Sequence, residues 1–207
     1  LSTNTSWYTG ATLIQHLETV ELGQDEYLEG EFHMPVQWVN RPNLDFRGFS
    51  GKIASGVIVP GDKIRILPSG KTSTVSRIVT YDGDKDVAVA GQSVTITLSD
   101  DVDCSRGQVI SAANDPLEIA DQFEVTLIWM DDDALIPGRS YYLKIGTQTV
   151  SASIASPKYQ INVNTSEHIA SKSLELNDIG VATVTTDRAI PFAPYYKNRD
   201  LGGFILI

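Results

Sequence analysis

Val39-Asn40-Arg41-Pro42-Asn43-Leu44-Asp45-Phe46-Arg47-Gly48-Phe49-Ser50-Gly51-Lys52-Ile53-Ala54-Ser55-Gly56 is the stretch whose reading decides the fold. It starts as the end of an alternating strand, breaks at Pro42 into a polar loop, and re-enters a strand in a run dense with glycine. Shortly afterwards Val59-Pro60-Gly61-Asp62-Lys63-Ile64 makes a tight turn, in which proline fixes φ and glycine takes a positive φ without steric cost. Upstream, Phe32, Met34, Val36 and Trp38 alternate with Glu31, His33, Pro35 and Gln37, the period of a strand with one buried face. Pro35 offers no N–H to a ladder and so belongs at an edge or a bulge. Downstream, strands are expected over 52–59, 63–67, 72–79, 93–98 and 107–110, parted by turns at Pro60-Gly61-Asp62, Pro68-Ser69-Gly70, Asp82-Gly83-Asp84 and Gly91-Gln92. Many short strands with such punctuation favour a closed barrel, because closure removes exposed edges.

Ala112-Ala113-Asn114-Asp115-Pro116 marks a boundary, after which strands recur over 122–129, 140–145, 148–154, 160–163, 181–185 and 203–207. This is a second all-β unit, ending on an apolar strand that needs a partner. Before the first barrel, Leu13, Ile14, Leu17 and Val20 form an apolar stripe at helical spacing. The reading is one short helix, marginal on its own in water, that must dock on something. Residues 21–26 read as an acidic linker. The organisation expected is therefore 1–26, a β-barrel over 27–112 and a second over 117–207.

With 207 residues, 42% hydrophobic and 20% charged, the chain has the composition of a globular protein rather than a disordered one. Its 16 Lys and Arg against 26 Asp and Glu give a formal charge of −10, with the acids spread through loops. Such a surface repels a phosphate backbone, so nucleic acid is a poor partner. The single cysteine, Cys104, allows neither an internal disulfide nor a cysteine-ligated zinc site and fits a reducing cytoplasm. No apolar run is long enough to cross a bilayer and none resembles a signal peptide, so no membrane partner is expected. The chain begins at Leu1, which suggests a fragment or a processed form.

Several motifs resemble chemistry and are better read as structure. Ser69-Gly70-Lys71-Thr72 is not a phosphate loop: the glycine required five residues earlier is Arg65, and β-branched residues follow where a helix is needed. Gly48-Phe49-Ser50-Gly51-Lys52 lacks the final glycine of a nucleophile elbow. His16, His33 and His168 are isolated from one another and read as structural or solvated. Asp131-Asp132-Asp133 and Asp100, Asp101 and Asp103 lack the spacing of a calcium loop and read as solvated turns. Cys104 sits among acids that should hold its thiol neutral. The chain thus presents no catalytic constellation and no cofactor or metal site of its own.

Four segments carry a family likeness: Trp7-Tyr8-Thr9-Gly10 with Thr12-Leu13; Pro35-Val36-Gln37-Trp38-Val39-Asn40-Arg41-Pro42-Asn43-Leu44-Asp45-Phe46-Arg47-Gly48; Asp103-Cys104-Ser105-Arg106-Gly107-Gln108-Val109-Ile110; and Asn198-Arg199-Asp200-Leu201-Gly202-Gly203-Phe204-Ile205. Residues 125–146, with Trp129-Met130-Asp131 and Leu135-Ile136-Pro137-Gly138-Arg139, add to it. Together they resemble the large, GTP-hydrolysing subunit of bacterial sulfate adenylyltransferase, and Arg106-Gly107-Gln108-Val109 occurs more widely among translation-type GTPases. The resemblance implies two consecutive translation-factor-like barrels, of the second- and third-domain kinds, preceded by one short helix left over from an absent GTPase domain. It further implies GTP and Mg in that absent domain, and a partner subunit that joins ATP and sulfate into adenosine 5′-phosphosulfate. On this reading the barrels are a rigid reader of the nucleotide state, without catalytic residues. Arg41, Asn43, Asp45, Phe46 and Arg47 form the candidate coupling loop, in which two guanidiniums and an exposed-looking Phe46 suit a protein contact. The competing reading is a structural loop whose arginines pair with local acids. Two other classes remain open: tRNA-binding barrels like those of elongation factors, and a purely structural β module.

Overall fold

The computed structural model describes residues 3–20, 30–43 and 45–207. The first barrel comprises β1 (His33–Pro35), β2 (Trp38–Asn40), β3 (Gly48–Lys52), β4 (Val57–Ile58), β5 (Lys63–Leu67), β6 (Lys71–Thr80), β7 (Gly83–Lys85), β8 (Ala88–Val89), β9 (Ser93–Leu98) and β10 (Val109–Ala112). All pairings are antiparallel, in the order β1-β10-β5-β6-β9-β3-β2, with β7 on β6 and β4-β8 as a separate ribbon. Inward positions along these strands meet as one core of Met34, Phe49, Ile53, Ile64, Ile66, Ile78, Ile96 and Ile110, all essentially without solvent contact. β1 ends the sheet, where the missing N–H of Pro35 costs no ladder bond.

The second barrel comprises β11 (Glu118–Ile128), β12 (Ser140–Ile145), β13 (Gln148–Ile154), β14 (Tyr159–Ile161), β15 (His168–Ile169), β16 (Ile179–Phe192) and β17 (Phe204–Leu206). Their order is β15-β14-β16-β13-β12-β17, with β11 also on β16. Its core is Leu127, Trp129, Leu135, Leu143, Ile154, Leu174, Ala182, Val184 and Ile190. A four-residue helix, α2 (Arg199–Gly202), precedes β17.

The architecture is all-β, two barrels in sequence, as the alternation predicts. Three local expectations change. The strand expected over 52–59 stops at Lys52, because the backbone of Ala54 and Ser55 is turned to other partners: Ala54 N donates to His33 O, His33 N donates to Ser55 O, and Ser55 Oγ donates to Glu31 O. Trp38, expected inside with Val36, points out and is 62% exposed. The break between β1 and β2 resets the alternation, so Val39 packs on the core instead. The strand expected over 181–185 runs through Phe192, since a bulge opposite Ala120 and Gln122 absorbs the polar Asp187-Arg188.

The glycine-dense stretch has a steric reason. A Cβ on Gly51 would stand 2.3 Å from Pro35 O, so β3 can cross β1 this closely only without a side chain.

The N-terminal helix α1 (Leu13–Thr19) forms with a capping box, in which Gln15 N donates to Thr12 Oγ1 and Thr12 N donates to Gln15 Oε1. It buries none of its residues: Leu13, Ile14 and Leu17 are all exposed. The expectation that its stripe docks is not met by any described residue. The acidic linker over 21–26 falls almost wholly on residues outside the description, 21–29, as does Leu44 of the loop.

Candidate functional site

The loop 41–47 joins two neighbouring antiparallel strands, β2 and β3, and its residues divide into two sets. Arg41 is exposed and has no ion pair with a described residue. Asn43 Oδ1 accepts from Asp45 N at 3.0 Å, a local turn that holds both residues at the surface. The second set is structural. Phe46 is half-buried rather than exposed, its ring lying over Gly48, where an added Cβ would come within 2.9 Å of it. Arg47 is committed to local acids: Nη1 donates to Asp101 Oδ1 at 2.6 Å and Nη2 to Asp103 Oδ1 at 3.4 Å, with the guanidinium 5.5 Å from the Phe49 ring centre. Partial burial opposes its charge, but Asp101 and Asp103 outweigh that and raise its pKa. Of the two guanidiniums, only Arg41 is available.

The acids of 100–103 are therefore built into the barrel and not merely solvated, since Asp100 Oδ2 also accepts from Ser73 Oγ at 2.7 Å. Cys104 beside them is 2% exposed and part of the core. Burial, not its acidic neighbours, pushes its thiol up to about 12, against the pull of Arg47.

Sequence reasoning missed two further exposed residues on or beside the strand that leads into this loop. Trp38 is exposed on β2, the strand that ends this side of the sheet. Arg106 is exposed and its Nη1 donates to Gln37 O at 2.7 Å, which places a second free-ended guanidinium next to Trp38. Nothing in the sequence signalled this, since the alternation reads unbroken from Phe32 to Trp38. Tryptophan and arginine are the residue types that dominate protein contacts.

This face adjoins a polar seam between the barrels. Thr147 Oγ1 donates to Val36 O at 2.9 Å, one residue before Gln37. Asn198, 5% exposed, donates through Nδ2 to Ala54 O at 2.9 Å and accepts at Oδ1 from Leu201 N at 3.2 Å as the N-cap of α2. Lys52 Nζ meets Asp200 Oδ2 at 2.9 Å. His33 backs the seam: its Nδ1 lies 3.1 Å from Ser111 Oγ, and burial pulls its pKa down to about 4 against the opposing charge of Asp115.

Ser69-Gly70-Lys71-Thr72 is a hairpin and not a phosphate loop. Gly70 takes φ +75° in a hairpin turn between β5 and β6, and a strand follows Lys71 where a phosphate site needs a helix. Among the described residues no group of three His, Cys, Asp or Glu side chains is placed to hold a metal ion, and no helix is long and apolar enough to cross a membrane.

Residues 49–111 match the model of elongation factor Tu domain 2, and residues 122–207 match the GTP-eEF1A C-terminal domain-like model. Over 205 residues, 99% of the chain, the sequence is 49% identical to sulfate adenylyltransferase subunit 1 of Methylorubrum populi, and over all of the chain it is 44% identical to that of Teredinibacter turnerae. The chain belongs to the sulfate adenylyltransferase subunit 1 family. It is also 48% identical to the bifunctional enzyme NodQ of a Rhizobium species, over 100% of this chain and 32% of that one. The chain spans 43% and 44% of the two subunit 1 relatives, less than half of each. Among solved structures, sup35 complexed with GDP superposes with a TM-score of 0.81 at 18% identity, covering 97% of this chain and 49% of that one. Translation elongation factor SelB from Methanococcus maripaludis, in its apo form, gives 0.66 at 21% identity, covering 86% and 40%. At these identities the structures establish the fold alone, whereas the subunit 1 relatives establish the family.

Proposed function

We propose that these barrels are the non-catalytic part of a GTP-hydrolysing sulfate adenylyltransferase subunit, coupling GTP hydrolysis to formation of adenosine 5′-phosphosulfate from ATP and sulfate. The observation that carries the reading is identity of 44–49% with subunit 1 proteins along essentially the whole chain, both barrels included. GTP and Mg belong, on this reading, to a GTPase domain of the same subunit. The catalytic, adenylyl-transferring subunit is the partner.

Two features support a transmitting role. The seam makes the barrels one body, because a buried carboxamide and a part-buried hydroxyl cross it with good geometry, and losing the carboxamide leaves Ala54 O without its donor. The face of Trp38, Arg41 and Arg106 then gives a docking surface directly continuous with that body. A change in what docks there shifts the partner's active site only through a difference in contacts between the two nucleotide states.

The test is pyrophosphate release from ATP, dependent on sulfate, by the native protein purified with its co-eluting subunit, with and without GTP. Release stimulated by GTP is expected. Arg41→Ala should keep GTP hydrolysis and lose its coupling to adenylyl transfer. Absence of release from a preparation containing both intact subunits overturns the reading.

A further inference from the structure

We infer that the second barrel carries a separate docking surface, at residues 195–199 and the outer side of β17, for an extended acidic segment bearing apolar side chains. The inference is independent of the Trp38 face and of the sulfate-activation reading.

Tyr195, Tyr196, Lys197 and Arg199 follow one another on a short exposed loop, with only Asn198 turned inward. The inward asparagine anchors the loop on both barrels, so its neighbours are held outward by a fixed backbone. The Arg199 guanidinium stands 5.9 Å from the Tyr195 ring centre, a stacked cation that remains open on its other side. The same ring lies against Gly203, and Gly203 lines a shallow groove together with Lys144, Phe204 and Ile205. Lys144, Tyr195 and Arg199 thus border one continuous surface.

Charge complementarity selects the occupant. In a chain of net charge −10, this surface gathers Lys144, Lys197 and Arg199, none of which has an ion pair with a described residue. The one acid in the loop, Asp200, is engaged by Lys52. Three free cations in an acidic field attract a segment carrying several carboxylates and give it one place to settle.

The shape selects an extended form. β17 ends its sheet, and Ile205 and Ile207 are 56% and 67% exposed, with Tyr142 exposed beside them. Ile207 and Tyr142 exchange both backbone hydrogen bonds, which by strand alternation directs the N–H and C=O of Leu206 away from β12. An open, apolar strand edge is a template for one more strand. Because Lys144 pairs with Ile205 on the outer face, an added strand that mixes apolar side chains and carboxylates along that face sets the former beside Ile205 and Ile207 and the latter beside Lys144, with Lys197 and Arg199 on the flanking loop.

The experiment uses the intact protein and a fluorescein-labelled twelve-residue peptide, three repeats of Glu-Glu-Leu-Phe, which as a strand mixes carboxylates and apolar groups on each face, read by anisotropy. Binding is expected to weaken about fivefold or more between 50 and 300 mM NaCl. Tyr196→Ala and the double variant Lys197→Glu/Arg199→Glu should each weaken it about tenfold or more with an unchanged thermal midpoint, while Tyr196→Phe retains it. Equal binding of the same peptide with Lys in place of Glu overturns the inference, as does binding that ignores these variants, or none at all. Tighter binding of a twelve-residue oligothymidylate also overturns it, in favour of a polyanion site.

Discussion

The seam between the barrels and the Trp38 face come within two residues of each other, at Val36 and Trp38, yet they are built by opposite rules. At the seam every polar group reaching across has a partner: Asn198 with Ala54 O and Leu201 N, Thr147 with Val36 O, Lys52 with Asp200. On the face, Trp38 is exposed and Arg41 has no ion pair with a described residue. Stability is invested where the chain must hold one geometry, and large recognisable side chains are left uncovered where something else is to complete the contact. Even the two arginines of one loop obey the division, Arg47 being spent on Asp101 and Asp103 and Arg41 left open.

The contrast is broken most directly at Asn198. Asn198→Ala removes a helix cap and leaves the buried Ala54 O unpaired, and by the usual cost of such losses it should destabilise the protein by about 3 kcal/mol in chemical unfolding. A loss below 1 kcal/mol would mean that the seam does not hold the barrels as one body.

His33 gives the next largest effect, through pH. Neutral in the fold down to about pH 4, it titrates near 6.5 once unfolded, so the unfolded chain takes up its proton first. Stability is then full above about pH 7 and falls as the pH drops from 6.5 towards 4, by about 2 kcal/mol in total after discounting for partial exposure. Unfolding midpoints across that range should slope less in His33→Gln than in the natural sequence. Parallel slopes would remove His33 as the cause.

Arg47→Ala should cost about 1 kcal/mol, since its partners Asp101 and Asp103 are themselves mostly exposed while its own side chain packs on Phe49. Arg41→Ala and Trp38→Ala sharpen the comparison from the other side. Each should change the unfolding free energy by less than about 0.5 kcal/mol while coupling of GTP hydrolysis to adenylyl transfer is lost. If either destabilises the protein as much as Arg47→Ala does, the face belongs to the fold and not to a partner.

What was legible in the sequence follows from the range of the interactions. Strand alternation and turn chemistry are local, so Phe32, Met34 and Val36 could be placed on a buried face and Gly61 and Gly70 in turns directly. The seam was invisible because Asn198 and Ala54 are 144 residues apart, and nothing near either one announces the other. The same distance problem hid the fate of Arg47, whose partners lie 54 and 56 residues away, so the two readings of its loop could not be separated until the pairs were seen. Trp38 was misplaced for a different reason. One irregular step between β1 and β2 inverts every later side chain of the strand, and periodicity carries no mark of where it slips. The capped helix α1 was found, but docking of its stripe depends on surfaces that no local pattern describes.

Anchoring the lock at residue 198 also sets an order of events during synthesis. The first barrel is complete at Ala112, and domains fold as units from the N-terminus as they emerge. The carbonyl of Ala54 must therefore wait, solvated, through the synthesis of β11 to β16 before its carboxamide arrives. Until Asn198 clears the ribosome, the first barrel is a folded bead on a tether rather than part of a single rigid arm.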